Sequence, residues 1–113
     1  MARSRRPVPP IEEIRIVRGV AAPGAVATTF GSWVFVRRGF ELTPRLLRHE
    51  YEHVCQYHRH GWAGFLGRYV RDYLRWRLLG YGHRAAYRRI PLEIQAEWRA
   101  RRNVGSGTQR FTP

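Results

Sequence analysis

Two patterns, and the order in which they occur, predict an α+β fold. Short apolar runs bounded by glycine occupy residues 11–38, and apolar residues at three-to-four spacing follow from residue 44 to 102. Strands gathered ahead of helices predict a small antiparallel sheet packed on helices, not an interleaved parallel sheet. A chain of 113 residues has room for one modest core, and 43% hydrophobic content with 13% aromatics is globular rather than disordered.

The first strand is expected in IEEIRIVR (11–18), where Ile14 and Ile16 fall on one side and Arg15 on the other. GAVATTF (24–30) and WVFVRR (33–38), joined at Gly31-Ser32, predict a β-hairpin closed by Gly39. Thr43 suits a helix N-cap, and Pro44 suits the first helical position, where its missing N–H has no partner to lose. Leu47, Tyr51, Val54 and His58 then repeat at helical spacing as far as Gly61, a C-terminal stop.

A second helix is predicted from Trp62 to Leu79, ending at Gly80-Tyr81-Gly82. Its aromatic and aliphatic residues alternate with Arg68, Arg71, Arg75 and Arg77, a pattern also compatible with a membrane surface or an RNA-stacking face. A domain this small must bury one helix against its sheet and first helix, so the apolar residues are expected inside and the arginines in solvent. A short helix over 84–88 precedes Pro91, which opens a last helix to Arg102. Residues 1–10 and 104–113, rich in Pro, Gly, Ser and Arg, are expected to be flexible tails around a domain of residues 11–103.

Charge and cysteine set further bounds. Twenty-one basic residues against eight acidic ones give +13, and every basic residue is Arg. A basic surface attracts phosphates, but uniform Arg for Lys is also a composition bias, so the expected nucleic-acid binding is weak, non-specific and salt-sensitive. The single Cys55 excludes an internal disulfide and a Cys-rich zinc site, and fits a reducing, cytoplasmic compartment as a small core residue. No apolar run follows the basic start and none reaches the ~18 residues of a membrane span, so neither a signal peptide nor a transmembrane segment is expected.

The informative pentapeptide is HEYEH, residues 49–53. On a helix, residues four apart differ by about 40° and lie one above the other. His49 and His53 can therefore address one metal ion, with Glu50 beside it as a carboxylate able to take a proton from water. Leu47, Tyr51 and Val54 are left to face a core. A catalytic zinc needs a third protein ligand. His58 is turned about 140° from His53, and His60 stands at the helix end. Glu93 and Glu97 in IPLEIQAEW repeat the one-turn spacing of the histidines, so Glu93 can ligate Zn²⁺ while Glu97 holds a ligand histidine.

HEYEHVCQ in mid-helix followed by PLEIQAE resembles the gluzincin clan of zinc metallopeptidases, and the small size is similar to the minigluzincins. The resemblance spans residues 24–98 and implies a minimal zincin-like domain. His49, His53 and Glu93 would then be ligands and Glu50 the general base, with Glu97 where the clan usually places an acidic second residue, most often Asp. With Glu at both positions, the choice between Glu93 and Glu97 as ligand is left open. Synthesis in a latent form is also implied, and the segment after Val104 could fold back over the cleft. A transition-state donor has no clear match, and Tyr87, His83 and Tyr57 are the candidates.

The expected function is hydrolysis of peptide bonds in a peptide or protein substrate by a metal-bound water that Glu50 activates. The rival is a non-catalytic, zinc-stabilised domain that binds nucleic acid or an acidic partner through Arg.

Overall fold

A computed structural model describes residues 8–22 and 24–105, the last three as helical backbone alone. A short 3₁₀ turn (Ile11–Glu13) leads into strands β1 (Arg15–Arg18), β2 (Ala27–Phe30) and β3 (Trp33–Val36). Helices α1 (Pro44–Leu78), α2 (His83–Arg88) and α3 (Pro91–Gly105) follow, giving an α+β domain with a three-stranded sheet. The segments expected to be tails fall mostly outside the described residues. Tyr51 Oη donates to the Pro9 carbonyl at 2.9 Å, and α3 continues past residue 103 to Gly105.

The hairpin forms where expected, with Thr29 opposite Val34 and Ala27 opposite Val36. Gly31 serves the turn twice: its φ of 65° suits glycine, and a Cβ there would meet the Trp62 ring at 2.9 Å. The sheet is not wholly antiparallel, as the sequence predicts, but mixed. β1 runs parallel to β3, and the strand order is β1-β3-β2. Residues 19–26 are long enough to carry the chain past the central position to the far edge, a step of about 10 Å across one intervening strand. Arg37 pins that crossing, donating from Nε to the Ala25 carbonyl at 2.7 Å and from its terminal nitrogen to the Ala22 carbonyl at 2.8 Å.

The core differs from expectation at the first strand. Ile16 shares the sheet face of Val34 but lies at the edge and is 39% exposed, while Ile11 and Ile14, ahead of β1, are buried. Together with Val34, Val36, Tyr51 and Val54 they form one apolar cluster between sheet and helix, and the half-buried Cys55 packs against it.

Thr43 caps α1 as expected, its hydroxyl accepting from the Leu46 N–H at 3.2 Å. Gly61, at φ 75° and ψ 170°, breaks α1 into two arms, 44–60 and 62–78, where the sequence predicts the boundary between two helices. The second arm turns back over the first. Tyr57, Phe65, Ile90 and Leu92 make a second apolar cluster, with Tyr57 and Phe65 stacked 3.8 Å apart. Of its apolar residues the arm buries only this aromatic edge, so the expectation of a helix buried by its apolar residues holds for Phe65 but not for the aliphatic ones. Leu66, Val70, Leu74 and Leu78 remain exposed.

Candidate metal centre

The first arm of α1 supplies His49, Glu50 and His53, and α3 supplies Glu93 and Glu97. Ala96 and Ala100 on α3 are completely buried, and such small side chains let two helices approach closely. The imidazoles of His49 and His53 lie one turn apart with centroids separated by 5.0 Å. Glu93 Oε1 stands 2.9 Å from His49 Nε2 and 3.2 Å from His53 Nε2.

The protons can be placed by following the network outward. Gln56 Nε2 donates to the Leu92 carbonyl at 3.0 Å and to Gln95 Oε1 at 2.9 Å, and a carbonyl can only accept. That fixes the Gln56 amide, whose Oε1 must then accept from His53 Nδ1 at 2.9 Å. The His53 hydrogen is therefore assigned to Nδ1, and in the neutral ring Nε2 carries a lone pair. His49 follows the same logic, because Glu97 Oε1 accepts from its Nδ1 at 2.9 Å. Both Nε2 atoms thus face Glu93, and that of His53 is buried close to it without the alignment of a hydrogen bond.

Two lone pairs and a carboxylate oxygen repel unless a positive charge lies among them. In the metal-free protein protons supply it. Burial pulls the His53 imidazole down, but the Glu93 carboxylate outweighs this and raises it to about 9. His49 is likewise raised, its hydrogen bond with Glu93 prevailing over burial. Burial favours the neutral acid at Glu93, yet the two imidazoles and Tyr69 hold that carboxyl well below the usual range.

A metal ion is the other solution. The ligand atoms of His49, His53 and Glu93 lie within 4.8 Å of one another, so this enclosed group can hold one. Tetrahedral donors at about 2.0–2.1 Å from zinc are about 3.4 Å apart. The 2.9 and 3.2 Å separations at Glu93 Oε1 are shorter than that figure by about 0.5 and 0.2 Å.

Glu97 is placed on His49 rather than among the three ligand atoms. Its other oxygen, Oε2, takes Arg45 and Arg101, the latter at 2.9 Å. Burial would raise this carboxyl, but the two guanidinium groups and His49 bring it down to about 2. Glu50 is buried beside the histidines, its Oε1 accepting from Thr29 Oγ1 on β2 at 2.6 Å. Tyr87 Oη donates to Glu93 Oε1 at 3.1 Å, so of the proposed donors only Tyr87 joins the cluster. His83 pairs with Tyr73 Oη at 3.0 Å in an exposed position, Tyr57 stays in the second apolar cluster, and His58 faces Ser32 at 3.3 Å.

Sequence reasoning missed three supporting side chains. Gln56 stands one turn beyond His53, so the one-turn rule applied to Glu93 and Glu97 could have found it. Tyr69 Oη donates to Glu93 Oε2 at 2.5 Å, and Thr29 holds Glu50. Both depend on contacts between elements, through the fold at Gly61 and the placement of β2, that no local pattern encodes.

Comparison of the chain with known protein families, with curated proteins and with solved structures finds no match.

Proposed function

We propose that this protein is a zinc-dependent metallopeptidase of gluzincin type. The reading is supported above all by the two imidazoles whose Nδ1 hydrogens are committed to Glu97 and Gln56, which turns both Nε2 lone pairs toward Glu93. This donor set of two neutral nitrogens and one carboxylate is one of those that hold catalytic zinc. His49, His53 and Glu93 would hold the ion, which supplies Lewis acidity to a water molecule and to a peptide carbonyl.

The chain's own residues do the rest. Glu50 receives the proton of the attacking water and delivers it to the leaving amine nitrogen. Thr29 holds Oε1 of that carboxylate, so the proton travels on the other oxygen. Tyr69 fixes Glu93 through Oε2, and the more exposed Tyr87, whose one O–H donates to Glu93 Oε1, would turn from that oxygen once a metal takes it and donate to the oxygen that gains charge at the scissile carbon. Burial and the adjacent Glu93 carboxylate push both phenols far above their usual range, which keeps them protonated as donors.

The Thr29–Glu50 bond also suits the rival reading, in which Glu50 only ties helix to sheet in a zinc-stabilised domain. Glu50→Gln separates the two. The peptidase should keep one zinc per chain, read by metal analysis, and lose at least about a hundredfold in cleavage of an unfolded protein. A zinc-loaded wild type that cleaves no unfolded substrate, or an equally active Glu50→Gln protein, would sink the peptidase.

A further inference from the structure

The second arm of α1 has three faces with different chemistry. One face carries Phe65, Tyr69 and Asp72 toward the domain. A second, winding band carries Trp62, Leu66, Val70, Leu74 and Leu78, each four residues and so about 40° round from the last, and each at least 36% exposed. The third carries Arg68, Arg71 and Arg75, at positions i, i+3 and i+7, all exposed. Leu74, Leu78 and Leu79 floor a shallow groove rimmed by Arg71 and Arg75. Leu78 is 86% exposed and Leu79 63%, values a water-facing helix gains nothing from.

Four such steps carry the band about 160° round the helix, and Trp62 at its start packs on Phe30 and Tyr57, so the part that shares one face is Val70, Leu74 and Leu78, spread over about 80° and about 12 Å of helix. Its charge chooses the occupant. The arm's one acid, Asp72, is buried and paired with Arg71 at 3.2 Å, so its single charge can offset only one of the three arginines of the band. A second copy of a chain carrying +13 would bring like charge against that band. No helix of the described residues is long and apolar enough to cross a membrane. An apolar face bordered by arginines that can extend their heads to phosphates is instead the form of a helix lying in a lipid interface.

We infer that the exposed face of Val70, Leu74, Leu78 and Leu79, with Arg68, Arg71 and Arg75 beside it, docks this protein on an anionic lipid surface. The apolar side chains enter the headgroup–acyl boundary while the guanidinium groups pair with lipid phosphates. This rests on the fold and its exposed residues, not on the metal centre.

Co-sedimentation of the full-length protein with vesicles of mixed phosphatidylglycerol and phosphatidylcholine tests it. The Leu74→Ser/Leu78→Ser protein keeps every charge and should bind at least about tenfold more weakly. Arg68→Gln/Arg75→Gln leaves the Arg71–Asp72 pair intact and should lose about thirtyfold. Ile94→Ser/Trp98→Ser, at exposed apolar positions on α3, should bind as the wild type does; circular dichroism confirms that each variant is folded, since all these positions are exposed. Undiminished binding by the Leu double variant would mean adsorption by charge alone and would overturn the inference. So would binding that ignores phosphatidylglycerol content, or a lipid-free dimer that the Leu substitutions dissolve, which would give the stripe to a second copy.

Discussion

At the scale of single residues, the roles of Glu93 and Glu97 separate by position on the histidines. Glu93 Oε1 lies against both Nε2 atoms, whereas Glu97 reaches only the Nδ1 of His49 from outside. Glu93→Ala should therefore abolish tight zinc binding, and Glu97→Ala and Gln56→Leu should each weaken it roughly 10–100-fold, as measured by competition with a chelator. The reverse order for the two glutamates would make Glu97 the ligand.

The cluster also fixes how stability depends on pH. In the metal-free protein the raised His53 contributes fully below its ordinary 6.5 and loses that contribution as pH rises through about 9. Glu93, held below its ordinary 4.5, contributes above that value and loses its share in acid. Metal-free protein should thus melt at progressively lower temperature from about pH 6.5 to 9. Zinc must displace the same protons, so its increment in Tm should grow over that window. A metal-free Tm that does not change there would mean that no proton is shared between His53 and Glu93. The spacing of His49, Glu50 and His53 was legible in the sequence because one helical turn decides it. Tyr69 and Thr29 were not, since each reaches the cluster from an element whose approach is set by packing.

At the scale of elements, punctuation is more legible than burial. Thr43-Pro44, Gly31, Gly61 and Pro91 mark the ends and bends of helices and hairpin where local backbone rules place them. The burial of the second arm is not legible in the hydrophobic pattern, where its aromatic and aliphatic residues look alike, and of these only the aromatic edge packs against the first arm and residues Ile90 and Leu92. Gly31 offers a test of how tightly hairpin and arm are joined. Gly31→Ala forces a Cβ into the Trp62 ring at 2.9 Å and strains a backbone at φ 65°. It should cost about 1–3 kcal/mol in denaturant unfolding. A cost under about 0.5 kcal/mol, the usual surface value, would show that Trp62 moves aside freely.

At the scale of the whole molecule, the parallel placement of β1 was not legible, because a short strand with apolar alternation can join either edge of a hairpin. The association of α1 with α3 was legible only through chemistry, since two carboxylates repeating the spacing of two histidines point to one another across the chain. That association has a topological consequence. His49 and Glu93 are 44 residues apart, so an ion held by both closes a large ring through the second arm and α2. A chain with one cysteine has no internal disulfide to make, so such an ion would act as a cross-link in its place, and a ring of this size would restrict the unfolded chain by about 4 kcal/mol. A protease site inserted at Gly80–Gly82, between the arm and α2, would cut the ring without touching the centre. The two pieces should elute together while zinc is present and part when it is chelated, as a nicked disulfide protein does on reduction.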